Sequence, residues 1–347
     1  MAEAQQVLDK KLEGLIGEYT ERTISRAEKI LGPELYRIIK GIFTTPSSVI
    51  GFALILTFVL VAIFAPQIIP PKENTLDPYK IMRDGFGSIP KVPGELWVKN
   101  PPTVTWWYKT FVGDEWIHLF GTASGGWDIF YGVIWGTRTA IKVGVIIEGI
   151  TLLVGIIIGC VAGFYGGFLD TIIMRIVEIF QTFPFIMAAM TLSAILTPII
   201  GKGIWPATIA LIAFGWMSYA RLIRGDILSV RERDYVLAAR VIGAKDSRIM
   251  FKHIVPNAIY PTLVVATLDI GSIVVAFAAL SFLGIGTEVG YADWGQLVSF
   301  ARNWIPQLAT YWWILIYPGM ALVLFVLGWN LVGDALRDIM DPRMRNR

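Results

Sequence analysis

Charge is what this 347-residue chain has least of: 16% of its residues are Asp, Glu, Lys or Arg, against about 25% in an ordinary soluble protein, while 55% are hydrophobic. With a mean hydropathy of +0.60 there are too few polar residues to cover the outside of a soluble domain, which excludes a water-soluble globular enzyme. Cysteine is nearly missing. Cys160 alone permits no internal disulfide, and its place in an apolar run reads as a small buried hydrophobe rather than a reactive thiol. Histidine occurs twice, at His118 and His253, too far apart in sequence for a His-based metal site. No GxxxxGK[ST] phosphate loop is present; Gly85 to Lys91 and Gly201-Lys202-Gly203 lack its spacing and its terminal Ser or Thr, so the chain has no ATPase site of its own. GxSxG and HExxH are also absent. A net charge of +3, from 30 basic and 27 acidic residues, gives no global pull toward nucleic acid.

Long apolar runs are what the chain has instead. A bilayer core of about 30 Å needs about 20 apolar residues as helix. Six windows qualify: Val49 to Ala65, Val143 to Phe164, Ile176 to Ile200, Ile204 to Ile223, Ala258 to Gly286 and Tyr311 to Val332. The first follows a charged segment too long for a cleavable signal peptide and reads as a permanent anchor. The expected fold is therefore an all-α integral membrane protein with six transmembrane helices. If the N-terminus is inside, segments 1–48, 165–175, 221–257 and 333–347 carry 20 of the 30 Lys and Arg residues, eight of them in 221–257. That bias places both termini in the cytoplasm of a cell membrane, plasma or bacterial inner membrane.

The organisation that follows has a cytoplasmic N-terminal extension (1–48), a first span (49–65), an extracytoplasmic insertion with the lead-in to span two (66–142), a five-span core (143–335) and a cytoplasmic tail (336–347). The extension sets Leu8, Leu12, Leu15, Ile16 and Tyr19 on one helical face among alternating charges. The insertion is dense in proline, which argues for irregular ordered loop, and its Trp97, Trp106, Trp107 and Trp116 read most simply as membrane-interface anchors, with a docking surface as the other reading.

Carboxylates inside the spans are few, Glu148, Glu178 and Asp269, and such residues are functional candidates because burying them in lipid is expensive. Gly155, Gly159, Gly163 and Gly167 recur every fourth position and mark a face where another helix backbone approaches closely; the neighbour could be this chain or another subunit. The most informative stretch is the cytoplasmic loop 226–257 between spans four and five. Asp234 is placed to cap a helix, Gly243 to end it in the left-handed region, Asp246 or Ser247 to start a second, and Pro256 marks the beginning of span five. Small side chains at Ala238, Ala239 and Ala244 would let this helix–turn–helix sit in a groove on another protein, with flanking arginines holding it there; a merely basic membrane-surface loop is the alternative.

That loop resembles the EAA motif of permease subunits of binding-protein-dependent ABC importers, Glu-Ala-Ala, three residues, Gly, nine residues, Ile-x-Leu-Pro: Ala238, Ala239, Gly243 and Pro256 match, while Leu237, His253 and Val255 depart. Further stretches look like motifs of the C-type permease of dipeptide and oligopeptide importers, in the family's order over about residues 46–345. These are His118 to Thr122, Gly126 to Gly132 with Trp127 where an Arg is usual, Ala162 to Gly167, Phe183-Pro184, Ala279 to Gly284, Asp293-Trp294-Gly295, Asn330 to Asp338 and Asp341-Pro342-Arg343. Phe277 stands where the family often has a Glu, and Asp269 where a small residue is expected. The resemblance implies the type I importer fold and half of a heterodimeric pathway. It also implies a B-type permease partner, two cytoplasmic ATPase subunits that hold the ATP and Mg, and an extracytoplasmic solute-binding protein; this chain binds no cofactor and is not an enzyme. The implied ATPase-coupling residues are Asp234, Tyr235, Ala238, Ala239, Arg240, Gly243, Ala244, Lys245 and Pro256, and the possible pathway residues are Glu178, Asp269, Ser272 and Phe277. Peptides are the first expectation for cargo and oligosaccharides the alternative. A secondary transporter driven through Glu148, Glu178 and Asp269 is the rival class.

Overall fold

The computed structural model describes residues 41, 45–71 and 77–340. The amphipathic reading of the N-terminal extension and the match at Asp341-Pro342-Arg343 fall outside them. The described residues are helical wherever they are regular. Five helices are long and apolar enough to cross a membrane, and a bent pair makes the sixth span.

Helix α1 (Pro46–Ile68) begins on Thr45, whose side chain accepts from the Ser48 N–H, with Pro46 in the first turn where its missing N–H costs nothing. Pro66, next after the expected window, does not end it; the helix runs on to Ile68 and its last turn closes through the Ile69 N–H to the Ala65 carbonyl. The segment that follows is irregular apart from a short helix, α2 (Trp106–Phe111), and isolated bridges such as Arg83 with Trp127. Helix α3 (Ile129–Tyr165) starts 14 residues before the expected second span, since Asp128 caps it by accepting from the Tyr131 N–H at 2.6 Å. Its 37 residues make a rod of about 55 Å, long enough to cross a bilayer core and project beyond it.

The segment 77–128 has its own packed interior. Trp97 and Trp116 are 4% and 2% exposed and Trp107 donates to the Ile68 carbonyl at 2.9 Å, so three of the four tryptophans read as interface anchors hold this segment together instead; Trp106, 78% exposed, is the exception. His118, fully buried, lies with Nδ1 2.7 Å from Asp128 and Nε2 3.2 Å from Asp84, under a stacked Trp97. Burial works against ionising Asp84. Lys91 at 2.7 Å, the backbone N–H groups of Val98 and Lys99, and His118 reverse that and hold its carboxyl down to about 2. Trp127, where the family pattern has Arg, is buried between the Arg83 guanidinium, 4.1 Å from its ring centre, and a parallel Phe300 ring.

The third span is broken. Helices α4 (Gly167–Gln181) and α5 (Phe185–Ile200) meet at 84° across Thr182-Phe183-Pro184. Pro184 offers no N–H and pushes Phe183 out of the helical region, so the expected continuous helix 176–200 cannot form. Helix α6 (Ile204–Val230) lies along α3, and the glycine stripe explains the fit. A Cβ on Gly155 would come 2.4 Å from Tyr219 Cβ, one on Gly159 2.2 Å from Ile223 Cγ2, and one on Gly163 3.0 Å from Ile227 Cγ2, so the close neighbour belongs to this chain. Gly167 is not part of that face: α3 has ended, and Gly167 turns the chain into α4 at φ +58 with nothing within 4 Å of its would-be Cβ. Helices α7 (Asp234–Val241) and α8 (Asp246–Ile249), a π-helical turn (Met250–Ile254) and α9 (Val255–Phe282) follow. Gly284 at φ +82 turns the chain away two residues after α9, inside the window that ends at Gly286 and is longer than one crossing needs. Helix α10 (Trp294–Phe300) is capped by Asp293, and α11 (Trp313–Met340) returns against α1 and α9.

Candidate functional site

Two places in this bundle gather the chemistry. The first is a cavity of about 650 Å³ bounded by α3, α6, α9 and the elbow between α4 and α5. The elbow that Pro184 enforces turns Phe180, Phe183, Phe185 and Gln181 toward it. From α6 come Phe214, Ser218 and Tyr219, from α9 Asp269 and Ser272, and from α3 Glu148 and Thr151. Close approach of α3 and α6 sets the register: the Gly155 Cα lies against Tyr219, and Thr151 against Gly215, which leaves Glu148 on the same wall as the Tyr219 hydroxyl.

That hydroxyl donates to Asp269 Oδ2 at 2.7 Å. Glu148 is 4% exposed with the Tyr219 hydroxyl and Asp269 beside it; the single Tyr219 proton goes to Asp269, and neither Glu148 oxygen meets a donor in hydrogen-bonding geometry among the described residues. Of the four pathway candidates, Asp269 and Ser272 line the cavity and the other two do not. Glu178 sits on the exposed face of α4, paired with Arg175 at 2.9 Å. Phe277 is 2% exposed and packs into the core with Ile147, Leu211 and Ile273. Tyr219, which stands beside both carboxylates and donates to Asp269, gives no sign in sequence beyond an aromatic in an apolar run.

The second place is the far end of α6. Val236, Ala239, Ile249 and Ile254 are buried against Cys160, Phe164, Ile223, Ile227 and Ala258, so α7 and α8 are packed onto the ends of α3, α6 and α9. Arg231 fastens the same end by donating to the Gly163 carbonyl at 3.0 Å. Two expectations change here. Asp234 is the first residue of α7 rather than its cap, with Arg233 in the cap position and no side-chain cap bond. Ala239, 6% exposed, spends its small size on fitting this chain's own helices, leaving Ala238 on the outer face and Ala244 half-buried.

Gly243 ends α7 at φ +78 as the spacing predicts. The outer face carries Asp234, Tyr235, Leu237, Arg240 and Lys245, and at its tip Val241 and Ile242 stand 87% and 83% exposed. Two adjacent aliphatic side chains left uncovered by the chain's own packing at a helix end mark a surface that a partner can cover. Pro256 lies in the first turn of α9, but the helical path does not begin there: it runs unbroken from Asp246 to Phe282 through the π turn.

The sequence profile of the family described as binding-protein-dependent transport system inner membrane component matches residues 155–346. The dipeptide transport system permease protein DppC of Alkalihalophilus pseudofirmus is 32% identical over 299 residues, 86% of each chain. The oligopeptide transport system permease protein OppC of Bacillus subtilis is 40% identical over 228 residues, 66% of this chain and 72% of that one. Among solved structures, a chain of the MetNI methionine ABC transporter in an inward-facing conformation superposes with a TM-score of 0.51 at 19% identity, covering 61% of this chain and 98% of that one, which is a likeness of fold.

Proposed function

The chain belongs to the family of binding-protein-dependent transport system inner membrane components, and from that premise we propose that it is the permease subunit of an ATP-driven importer of short peptides. The cavity serves as this subunit's share of the solute pathway, completed by a second permease subunit of the B-type. The α7–α8 face docks a cytoplasmic ATPase subunit, one of a pair that holds the ATP and Mg. The opposite end receives an extracytoplasmic solute-binding protein, which puts both termini of this chain in the cytoplasm. The chain itself hydrolyses nothing.

One observation carries this reading: α8, on which α7 is packed through Val236, Ala239 and Ile249, and the cavity wall share a single helical path, Asp246 to Phe282. From Val255 to Asp269 that path rises about 21 Å at 1.5 Å per residue, so a displacement at α8 is delivered to Asp269 and Ser272 without a flexible joint. ATPase closure acts on the pathway because the ATPase contacts differ between the inward-open and outward-open states; a partner gripping both states equally would shift neither. The rival secondary transporter is weakened by the placement of Glu178, which points away from the cavity shared by Glu148 and Asp269. Sugar stacking on the tryptophans of the insertion would favour the oligosaccharide alternative, but Trp97 and Trp116 are packed inside it.

Replacing Val241 and Ile242 together by Asp tests the docking face, since both side chains are too exposed for the change to disturb folding. In reconstituted vesicles, loaded binding protein should no longer stimulate ATP hydrolysis by the complex carrying this pair. Full stimulation with the pair in place would sink the docking assignment.

A further inference from the structure

Two carboxylates stand on one wall of the cavity with no cation facing them among the described residues, and we propose that this wall is a binding site for an ammonium group of the solute. The proposal rests on the reading of the cavity as solute pathway and adds the chemistry of what that pathway holds.

Glu148 is the decisive residue. It is nine-tenths buried, lines the cavity, and has both oxygens without a donor among the described residues. The nearest candidate is the Tyr219 hydroxyl, which has one proton and gives it to Asp269 at 2.7 Å. A buried carboxylate left in this condition is costly unless a donor arrives, and the residues around the cavity supply none of opposite charge: they include Glu148 and Asp269 and not one Lys, Arg or His. An ammonium entering between Glu148 and Asp269 brings three N–H donors and the charge both carboxylates need. Phe180, Phe183 and Phe214 also line the cavity, and aromatic rings there favour a cation over an anion. A volume of about 650 Å³ falls within the usual range for small-molecule sites, about 300–1,000 Å³. An anionic group would be repelled from the same place, so the wall discriminates by charge.

Peptides offer an ammonium from two sources, the amino terminus and the lysine side chain, and three probes separate them: trilysine, trialanine, and the uncharged N-acetyl-trialanine amide. The first measurement is the rate at which dicyclohexylcarbodiimide modifies Glu148 in the purified full-length chain, followed by mass spectrometry. Millimolar trilysine should slow it about tenfold, the effect of one charge-assisted hydrogen bond, and the acetylated amide should not change it. Protection by trialanine equal to that by trilysine assigns the site to the amino terminus; protection by trilysine alone assigns it to the side chain. Equal modification with all three probes and with none overturns the proposal.

The second measurement is uptake by the complete transporter. In Glu148→Gln and Asp269→Asn, the ratio of trilysine to acetylated-amide uptake should fall about tenfold relative to the unsubstituted transporter. An unchanged ratio, or equal loss of both cargoes, reduces these residues to structural ones. If the unsubstituted transporter moves none of the three peptides while Glu148 is still protected from the carbodiimide, it is the peptide-import reading that fails and the cation site that stands.

Discussion

Replacing Gly159 by Ala tests the account of how α3 and α6 come together. The added methyl would lie 2.2 Å from Ile223 Cγ2 and 2.4 Å from the Ala220 carbonyl oxygen, whereas carbon atoms in comfortable contact stand about 3.5–4.0 Å apart. Ile223 could rotate, but the Ala220 carbonyl is part of the α6 backbone and cannot. The two helices must part by roughly 1 Å along this seam, and overpacking of that kind costs about 1–3 kcal/mol. Gly149, on the same helix, is exposed with nothing within 4 Å of its would-be Cβ, so its replacement by Ala relieves backbone freedom and gains about 0.5–1 kcal/mol. The matched pair should therefore differ by about 1.5–4 kcal/mol. On the soluble-domain scale of roughly 2–4 °C per kcal/mol this is a gap of about 3–16 °C in the midpoint of thermal loss of monodisperse protein, read by size-exclusion chromatography in detergent. Along the stripe the order of damage should be Gly159, then Gly155, then Gly163, following nearest contacts of 2.2, 2.4 and 3.0 Å. Equal midpoints for Gly159→Ala and Gly149→Ala, or the reverse order, would refute the packing argument.

Two further outcomes follow from the segment 77–128 and the cap of α10. The Asp84 carboxyl is held at about 2 in the folded protein against about 3.8 free, so its contribution, about 2 kcal/mol, is present above pH 4 and lost as pH falls toward 2. Asp84→Asn should remove that acid limb from the pH dependence of thermal stability while lowering stability at neutral pH; an unchanged limb would count against the Asp84–His118–Asp128 cluster as a stabilising unit. Burial raises the Asp293 carboxyl to about 6, against hydrogen bonds from Thr287 and the Gly295 and Gln296 N–H groups, so ionising it costs stability as pH climbs from about 4 through 6. Asp293→Asn keeps an accepting oxygen for the cap and should flatten that loss, whereas Asp293→Ala should destabilise at every pH measured by the same thermal assay.

What could be read from the sequence divides along physical lines. Hydropathy averages over windows, and so it located the spans but missed the break in the third: Phe183-Pro184 is visible in the chain, yet the residues on both sides are apolar enough to hide an 84° bend inside one window. Spacing rules assume the helix continues. Gly167 fits the four-residue period and lies beyond the end of α3, in a left-handed turn. Composition cannot say which face of an insertion a tryptophan takes, and Trp97 and Trp116 took the inside. For the cavity, Asp269 and Glu148 were legible because a carboxylate in an apolar run stands out, and the same signal misled at Glu178, which α4 turns outward to meet Arg175 one turn earlier. Tyr219 carried no such signal. Its role depends on a register between α3 and α6 that only the glycine contacts fix.

The π turn at Met250–Ile254 connects the two places where chemistry gathers, and its position follows from packing. Ile249 and Ile254 are both buried in the same cluster with Val236 and Ala239, although they lie five residues apart, a spacing that leaves two side chains about 140° apart on a regular α-helix. An i→i+5 turn adds the residue needed to bring both onto the inward face. The widened turn thus lets α8 hold α7 against the bundle while α9 runs on toward Asp269 in a direction set by the bundle itself. Regularising that turn would rotate one of the two isoleucines outward or rotate α9 by about the 100° of one residue, carrying Asp269 off the wall it shares with Glu148. The geometry of the cavity and the seat of the α7–α8 face are in that sense one constraint.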